Sequence, residues 1–586
     1  FFAATYLPKT RRFGQPGMME LIPHIRDLWT GDRSRLRQAA KEVTGALSRA
    51  GTGGDETPLD AAVLESAYEA LAPRYDAQYG GFGDAPKFPT PHQYSFLLRY
   101  WKRSGVERAL TMTSESLRRM AISGTFDQLG FGFHRYSTDR QWKVPHFEKM
   151  LYDQALLTMA YVDAYQATGD AFFGKTARRI ATYVLRDLTS DEGGFFASEN
   201  AESEGVEGKF YLWTLDEVRE VLGAKDAGLA AAVFHIEAGG NFTPQGGEAA
   251  ASGLNVLYRT GTAEALAADL EMDAAELAVR IDVIRKRLLN SRDRRVRPSL
   301  DDKILADWNG LAIAALARAG SVLREPAYTA AAERAARFVI ERMSTAQGTL
   351  LHRYRCGEAG IPAMADDYAF LIMGCWELYE ATFEVEWLER AVTMQDEMIA
   401  ETWDDRDGGF HRGGENAEGL PAAPKVVQDG AIPSANAVAM LNLLRLGRVT
   451  GKADYLEKAD ATGRAFSGRM AAYPAAHTMW MTALDFALGP TLELVISEDG
   501  DEAGAQGMLN RLRSRFLPEA VVLLRREADA DRLAGVAPFV REQQPLSGRA
   551  TAYVCRDRAC DAPTDEPERM MEKVGEEEQN VGDSKG

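Results

Sequence analysis

The chain has 586 residues, 45% of them hydrophobic, so it can bury a large core and is expected to form more than one domain. Acidic residues exceed basic residues by 18, and no basic stripe interleaved with aromatic residues occurs, which argues against a nucleic-acid partner. No apolar run approaches the length needed to span a bilayer, so we expect a soluble protein without a membrane partner.

A disulfide scaffold is not expected, because a chain of this size has only four cysteines, Cys356, Cys375, Cys555 and Cys560. Cys555 and Cys560 bracket four residues, a spacing that fits a redox pair or half of a metal site, but no other Cys or His cluster lies near them in the sequence. We therefore interpret them as two ordinary thiols and predict a reducing, cytoplasmic location. The opening residues, FFAATYLP, give no targeting information.

Residues 1–51 have the pattern of an incomplete domain. Phe1–Leu7 is short, aromatic and β-like, whereas 16–29 and 34–49 have the pattern of helices. One strand and two helices cannot form a good core alone, so this piece is predicted to be the end of an α/β domain. Residues 52–57, with their glycines and acidic side chains, are interpreted as a linker.

A repeat begins at Pro58 and predicts the main fold. In each unit a helix is followed by a turn of glycine and aromatic residues, a polar loop, a more apolar helix, a short turn and an amphipathic helix. The turns are Tyr79–Gly83, Gly130–Tyr136, Glu192–Phe196, Gly348–Tyr354 and Asp407–Arg412. Five helical hairpins are predicted, at about 92–104 with 106–123, 147–168 with 171–189, 308–323 with 328–345, 366–382 with 386–402, and 434–450 with 454–470.

A sixth hairpin closes the series if residues 476–488, which lack a following partner, pair with residues 59–75, which lack a preceding one. The more apolar helices would then form an inner ring and the amphipathic helices an outer ring. The predicted fold is therefore mainly α, an (α/α)6 six-hairpin toroid over residues 58–489, with small α/β pieces at both ends of the chain.

One interval of the repeat is longer than the others and predicts an insertion at about 197–296 over one face of the toroid. It contains a strand-like segment, Lys209–Trp213, a helix from Thr214 and further helices between 263 and 289. After residue 489, the segments 491–497, 502–515, 520–525 and 549–555 predict a small α/β domain over residues 490–560 with parallel strands. The acidic, polar residues 561–586 are predicted to be disordered.

The polar loops that precede the inner helices are expected to gather on one face of the toroid, its mouth. The loop with the most reactive groups is 124–152, which leads into an apolar helix whose free backbone N–H groups favour anions. The predicted catalytic candidates are His134, His146, Glu148, Asp302, Asp367 and Asp429. The predicted substrate-binding residues are Lys87, Arg135, Tyr136, Trp308, Asn309, Tyr368 and Asn436. No cofactor is predicted, and no residue is assigned to a metal.

These candidates also have structural interpretations, which the residues alone leave open. His146, Asp302 and Asp367 lie at predicted helix starts, where capping is an ordinary role. His134 lies in a strand-like segment, where a hydrogen-bonded structural histidine is the alternative. Trp308 can stack on a sugar or fill the core of the toroid.

Carboxylates, imidazoles and aromatic rings that converge on a concave mouth are the groups of a carbohydrate site. We therefore predict a sugar isomerase or epimerase that moves a proton next to a carbonyl by histidine acid–base chemistry. A glycoside hydrolase with two carboxylates is one alternative, and a non-catalytic toroid that binds a glycan or a protein is another. Basic groups at the mouth indicate an anionic ligand, such as a sugar acid or a sugar phosphate, and they are Lys87, Arg135, Lys303 and Arg353.

Several long motifs resemble those of one family. They are DQLGFGFHRYSTDRQWKVPHFEKMLYDQA, GKFYLWTLDEV, DDKILADWNGLAIAALA, DDYAFLI, QDGAIPSANAVAMLNLLRL and ATAYVCRDRAC, and they are similar to the spermatogenesis-associated protein 20 family and its bacterial relatives. The resemblance covers essentially the whole chain. It implies a thioredoxin-like domain followed by a six-hairpin toroid similar to the N-acylglucosamine 2-epimerase superfamily, and it implies no established reaction for the toroid.

The resemblance also bears on the N-terminal segment. FFAATYLP looks like the late part of the thioredoxin-like domain of this family. The cysteine-bearing redox motif of the family would lie upstream of it, so no thioredoxin-type exchange is expected of residues 1–51.

Overall fold

The computed structural model describes residues 7–12, 14, 16–51, 57–243, 253–413 and 424–575. Near the N-terminus, helices α1 (Met18–Gly31) and α2 (Arg33–Gly51) pack against each other. They confirm the two predicted helices, whereas the predicted strand falls mostly on residues 1–6, outside the described part. The assignment of this segment to a thioredoxin-like domain stays a prediction.

Helices make up most of the remaining chain. In order, they are α3 (Ala61–Leu71), α4 (Pro91–Ser104), α5 (Glu107–Ile122), α6 (Leu151–Thr168), α7 (Ala171–Asp187), α8 (Leu215–Leu222), α9 (Ala224–Phe234), α10 (Ala263–Asp269), α11 (Ala274–Arg292), α12 (Ala306–Leu323), α13 (Pro326–Arg342), α14 (Ala365–Thr382), α15 (Val385–Thr402), α16 (Ala435–Thr450), α17 (Ala453–Ala472), α18 (Thr478–Leu488), α19 (Glu502–Arg513), α20 (Ala530–Val536) and α21 (Pro567–Val574).

Twelve of these helices form two concentric rings. In the inner ring, α4, α6, α12, α14, α16 and α18 each pack against the next, and α18 packs against α4. In the outer ring, α5, α7, α13, α15, α17 and α3 each cover one inner helix, in that order. Because α18 pairs with α3 across the two ends of the repeat, the predicted (α/α)6 toroid is confirmed.

The two rings differ in how much of each helix is apolar. Every residue of the inner helix α6 from Leu151 to Ala164 is buried. The outer helix α7 buries one face, which includes Phe173, Ile180 and Val184. A helix that is buried all round must lie in an interior, and an amphipathic helix can cover it. The alternation along the sequence therefore decides which helices form the inner ring.

A repeated turn leads from each outer helix towards the next inner helix. In three copies of this turn, a buried lysine binds an aspartate and a backbone carbonyl. The copies are Lys87 with Asp76 and Gly80, Lys149 with Asp127 and Phe131, and Lys425 with Asp404 and Gly408, with N–O distances of 2.5 to 2.9 Å. At Gly81, the residue after Gly80, φ is +78° and a Cβ atom would lie 2.5 Å from Trp142, so only glycine fits there.

Side-chain amides near the start of three inner helices bind the aromatic residue of the same turns. Each amide oxygen accepts a hydrogen bond from the backbone N–H of a phenylalanine, and each amide nitrogen donates to the carbonyl of that residue. The pairs are Gln154 with Phe133, Asn309 with Phe195, and Asn436 with Phe410, at distances of 2.7 to 3.0 Å. These buried amides thus satisfy backbone groups that would otherwise lack partners.

A belt of six charged residues crosses the axis of the toroid, one from each inner helix, and their charges alternate in sign around the ring. In ring order, the belt consists of Arg99, Asp163, Arg318, Glu377, Arg445 and Asp485. Arg318 donates to Asp163 at 2.9 Å and to Glu377 at 3.0 Å. Two further ion pairs join Arg445 Nη1 to Glu377 at 3.6 Å and Arg99 Nη1 to Asp485 at 3.7 Å. Opposite charges therefore compensate one another in a largely buried position.

Short strands frame the loops on one face of the toroid. They are β1 (Tyr136–Ser137), β2 (Pro145–His146), β3 (Lys149–Met150), β4 (Ser198–Glu199), β5 (Glu202–Ser203), β6 (Val206–Glu207), β7 (Leu300–Asp301), β8 (Ile304–Leu305), β9 (Leu351–Arg355) and β10 (Glu358–Pro362). The insertion lies over this face and has an apolar cluster of its own around Trp213, Val218 and Leu277. The predicted strand Lys209–Trp213 is wrong, because Lys209–Tyr211 form a turn in which Tyr211 packs on Phe147, and Trp213 makes an isolated bridge with Asn255.

The C-terminal domain is a sheet in the order β12–β11–β13–β14, with β11 at Leu492–Glu498, β12 at Ala520–Arg526, β13 at Thr551–Arg556 and β14 at Ala559–Cys560. β11 pairs with β12 in parallel, as predicted, but β11 and β13 are antiparallel.

Two predictions for the C-terminal region are wrong. Cys555 and Cys560 form a disulfide between paired residues of β13 and β14, so they are not two free thiols. The predicted disordered tail contains α21, which is ordered because it buries Met570 and Met571. Residues 576–586 lie outside the described part. No helix in the described ranges is long and apolar enough to cross a membrane.

Candidate active site at the mouth of the toroid

The inner helices begin on one face of the toroid, and the short strands bring the loop residues together there. β1 pairs with β2, which places Tyr136 opposite His146. β8, which leads into α12, pairs with β9. Two groups of polar side chains result. The His146 cluster contains Arg135, Tyr136, His146, Glu148 and Glu207, and the Asp307 cluster contains Asp307, His352, Asp366 and Asp367.

Ion pairs hold the His146 cluster together. His146 Nδ1 lies 2.7 Å from Glu207 Oε1, and Nε2 lies 3.6 Å from Glu148 Oε2. Arg135 Nη1 donates to Glu148 at 3.0 Å, and the Tyr136 ring stacks on the imidazole with centroids 5.1 Å apart. The contact with Glu148, supported by Glu207, raises the pKa of His146 despite its partial burial. The protonated form of His146 is therefore favoured relative to a free histidine.

A buried carboxylate organises the Asp307 cluster. Asp367 is fully buried and accepts hydrogen bonds from the backbone N–H of Met364 at 2.7 Å and of Asp307 at 3.0 Å. Its Oδ1 also lies 2.8 Å from His352 Nδ1. Because an ionised carboxylate can only accept, Nδ1 carries the proton of this bond, and His352 Nε2 is the atom that gains or loses a proton.

The pKa values of the Asp307 cluster are shifted towards neutral pH. Burial, followed by the charge of Asp367, raises the pKa of Asp307 to about 8. Burial lowers the pKa of His352, but the hydrogen bond and the charge of Asp367 outweigh this effect, so the pKa of His352 is raised. Burial also raises the pKa of Asp366. An acid that keeps its proton near pH 7 beside an oriented histidine is an arrangement suited to general acid–base chemistry.

Aromatic residues connect the two clusters. Tyr152 at the start of α6 and Trp308 at the start of α12 meet edge to face, with ring centroids 4.8 Å apart. Trp308 follows Asp307 in the chain and is half-buried. Asp153 is 3% exposed, and its Oδ2 has no hydrogen-bond partner among the described residues. Burial raises the pKa of Asp153 well above its usual range, which favours the neutral carboxyl.

Two predicted site residues are buried away from the mouth. His134 is 2% exposed, its Nδ1 lies 2.9 Å from the carbonyl of Phe147, and Tyr211 of the insertion packs against its ring. Burial lowers the pKa of His134 well below its usual range. Lys87 is fully buried, with Nζ bound inside a repeated turn. The position of His134 matches its structural interpretation, and Lys87 binds groups of the fold.

Several other predicted residues use their polar atoms within the fold. Asp429 accepts hydrogen bonds from the backbone N–H of Ser434 at 2.9 Å and of Met479 at 2.8 Å, and thereby links α16 to α18. Asp302 forms an exposed ion pair with Arg355. Three predicted substrate-binding residues, Asn309, Asn436 and Tyr368, are buried. The side chains of Asn309 and Asn436 form hydrogen bonds with backbone groups.

The candidates predicted from the sequence include neither Asp307 nor His352, and they do not include Glu207. A signal for His352 exists, because the letters HRY occur both at His134–Tyr136 and at His352–Tyr354. Glu207 carries no such signal, since its contact with His146 joins residues 61 positions apart.

The Asp307 cluster also has the residue types of a metal site. One ligand atom from each of Asp307, His352 and Asp367 lies within 4.8 Å of the others. If a metal ion bound, Asp367 would still accept hydrogen bonds from two backbone N–H groups, so its oxygens are only partly available as metal ligands. A metal ion in the cluster would therefore share Asp367 with the backbone.

The fold and this polar mouth define the class of the protein, a six-hairpin toroid of inner and outer helices. The sequence is 35% identical to spermatogenesis-associated protein 20 of Homo sapiens over 97% of this chain and 76% of that protein, and 35% identical to that of Rattus norvegicus over the same shares. The chain belongs to the spermatogenesis-associated protein 20 family. No family model matches it.

Solved structures similar to this chain include two sugar enzymes. A D-mannose isomerase aligns with a TM-score of 0.43 and 10% identity, over 69% of this chain and 83% of that chain. A cellobiose 2-epimerase from Bacillus thermoamylovorans aligns with a TM-score of 0.28 and 15% identity, over 62% of this chain and 92% of that chain.

Proposed function

We propose that the mouth binds a sugar and that the protein is a sugar isomerase or epimerase, which moves a proton at the carbon next to a carbonyl group. The observation that carries this proposal is the Asp307 cluster. It combines a carboxyl group with a pKa of about 8 and a histidine that a buried carboxylate holds at 2.8 Å. Moving a proton between carbon and oxygen at neutral pH needs one group that donates and one that accepts.

In the proposed reaction, neutral His352 accepts the proton from the carbon next to the carbonyl at Nε2. Asp307 donates its proton to the carbonyl oxygen, and an enediol results. Return of the proton from His352 to the former carbonyl carbon, with transfer of the neighbouring hydroxyl proton to the Asp307 carboxylate, gives the isomer. Return of the His352 proton to the original carbon, after the enediol has turned its opposite face to Nε2, gives the epimer, and Asp307 then regains the proton that it had given to the carbonyl oxygen. Asp367 keeps the Nδ1 proton of His352 in place and balances the positive charge that the imidazole gains.

The His146 cluster is proposed to bind the sugar beside this pair. Trp308 offers a half-buried aromatic surface for the face of a sugar ring. Arg135 and protonated His146 are positively charged groups at the mouth, although Glu148 and Glu207 partly neutralise them. An anionic sugar, such as a sugar acid or sugar phosphate, would compete for these charges.

A two-carboxylate glycoside hydrolase is the second candidate, because ligand oxygens of Asp307 and Asp367 lie within 4.8 Å of each other. This separation is near the roughly 5–5.5 Å between the carboxyl groups of retaining glycosidases. The hydrogen bonds that Asp367 accepts from three groups make it a weak nucleophile, which favours the isomerase proposal.

The test is a proton NMR screen in deuterated water against aldoses, ketoses, sugar phosphates and uronic acids. We expect deuterium exchange beside a carbonyl with the wild-type chain and its loss in His352→Gln and Asp307→Asn. Asp302→Asn is the matched control, because Asp302 lies on the same connection before α12 and forms an ion pair with exposed Arg355 outside the Asp307 cluster.

The outcomes separate the candidates. Exchange that survives His352→Gln at the wild-type rate would refute the assigned base. New anomeric signals without exchange would indicate hydrolysis instead. No reaction of the folded wild-type chain with any sugar would contradict both enzyme proposals and favour a binding toroid.

A further inference from the structure

A cavity lies on the opposite side of the toroid from the mouth, beneath the charged belt. Its walls come from the C-terminal parts of the inner helices and from residues 509–522 of the C-terminal domain. The cavity volume is about 140 Å³, several times the ~30 Å³ that one water molecule occupies in the liquid. A small organic molecule therefore fits between the toroid and the C-terminal domain.

The charged residues around this cavity, which we call the floor cavity, do not balance. Five arginines but only three acidic residues line this cavity. The belt contributes Arg99, Arg318 and Arg445 with Asp163 and Glu377, whereas Arg513, Arg515 and Glu380 lie nearer the C-terminal domain. Burial, followed by the charge of Glu377, raises the pKa of Glu380 to about 7, so this acid is only partly ionised at neutral pH. The cavity consequently has an excess of positive charge.

One of these arginines has unused hydrogen-bond donors. Arg445 is 6% exposed, and its Nε and Nη1 have no hydrogen-bond partner among the described residues. Its nearest acid is Glu377, 3.6 Å from Nη1, and that carboxylate already accepts two bonds from Arg318. Leaving buried guanidinium donors unpaired is unfavourable. An anion in the cavity would supply the missing acceptor.

The other arginines are held in place by the fold. Arg99 Nη1 donates to the carbonyl of Pro518 at 3.0 Å. Arg513 Nη2 donates to the carbonyls of Glu380 at 3.0 Å and Ala381 at 2.9 Å, near the end of α14. These bonds fix guanidinium groups from both the toroid and the C-terminal domain around one space. The remaining wall is apolar and includes Phe383, Leu512 and Phe516.

We propose that the floor cavity binds a small anion, either a carboxylate or a phosphate with a short apolar body. The charged end of this ligand pairs with Arg445, and the bound ligand joins the toroid to the C-terminal domain. Guanidinium groups recognise both carboxylate and phosphate through paired hydrogen bonds. The apolar wall accommodates the body of such a ligand. This site is separate from the mouth and does not depend on the proposed sugar chemistry.

The test uses the full chain and measures its thermal unfolding midpoint with inorganic phosphate, with butyrate, and with chloride at equal ionic strength. We expect a saturable rise with phosphate or butyrate beyond that with chloride, because a ligand that binds the folded state stabilises it. A response to only one of them identifies which anionic group the cavity takes. No rise with either anion above chloride would overturn the proposal.

Two variants and one matched control locate the site. Arg445→Lys keeps the charge but loses the free donors, and Arg513→Met removes a cavity arginine from the C-terminal domain. Each is expected to weaken the anion affinity about tenfold or more. Arg526→Met is the control, because Arg526 also donates from the C-terminal domain to the end of α14, at the carbonyls of Thr382 and Phe383, but does not line the cavity. Equal anion responses in Arg513→Met and Arg526→Met would contradict the site, even if Arg445→Lys failed to fold.

Discussion

We expect the substitution Glu377→Gln in the charged belt to destabilise the fold strongly. Glu377 is 4% exposed, accepts two hydrogen bonds from Arg318, and lies 3.6 Å from Arg445. A glutamine has the same shape but no charge, so both arginines would lose their shared counter-ion in a buried position. Breaking a buried ion pair on one side costs about 3–5 kcal/mol, and we expect a loss of this size in the free energy of unfolding.

The assay is equilibrium unfolding in denaturant, followed by tryptophan fluorescence. Trp376 is a local reporter, because the guanidinium of Arg445 lies 5.7 Å from the centroid of its ring. The matched control is Glu386→Gln on the outer helix α15, where Glu386 forms a partly exposed pair with Arg337 at 3.3 Å. A surface pair of this kind contributes about 0–1 kcal/mol, so the control should remain close to the wild type.

The pH dependence provides a second measurement of the same interaction. Burial acts to raise the pKa of Glu377, but Arg318 and Arg445 outweigh it and hold the pKa below its usual value. The stabilisation is therefore complete above the unfolded pKa of about 4.3 and is lost as the pH falls through the lower folded pKa. The variant should lack this part of the acid sensitivity. A loss below about 1 kcal/mol at neutral pH would refute the idea that the belt stabilises the toroid as a compensated ion network.

Three further predictions concern other sites. Asn309→Ala should lower the free energy of unfolding by about 2–3 kcal/mol in denaturant titration, because the backbone N–H and C=O of Phe195 lose buried partners, and an unchanged midpoint would contradict this. Asp307 holds its proton to a pH of about 8 in the folded state but releases it near ~3.9 in the unfolded state. The stability of the wild-type protein should therefore fall as pH rises between these two values, and Asp307→Asn should remove that fall. The contact with Glu148, and then that with Glu207, raises the pKa of His146, which should stabilise the fold below about pH 6.5 and cease to do so as pH rises through the folded pKa. His146→Ala should therefore lower the thermal midpoint more at acidic than at alkaline pH, and an equal effect at both would refute this.

The architecture could be predicted from the sequence because its signals are local and repeated. Apolar and amphipathic helices alternate along the chain, and each hairpin needs only neighbouring residues to form. Closure of the ring by α18 and α3 also follows from counting, since each was a helix without a partner. The errors occur where the local pattern was weak, as at Lys209–Trp213 in the insertion, which is apolar enough for a strand but begins with a turn.

The candidate site could be placed on a face of the toroid from sequence, but its members could not be chosen. His134 and His352 stand in the same HRY pattern, yet only the fold shows that the insertion covers His134 while His352 reaches Asp367. The reason is that burial and pairing depend on residues far apart in the chain, and these two determine the pKa of a side chain. Sequence thus determined the helices, their order and the location of the mouth. The tertiary structure alone decided which charges meet, in the belt and in the Asp307 cluster, because the effect of a charge depends on the partner that folding brings to it.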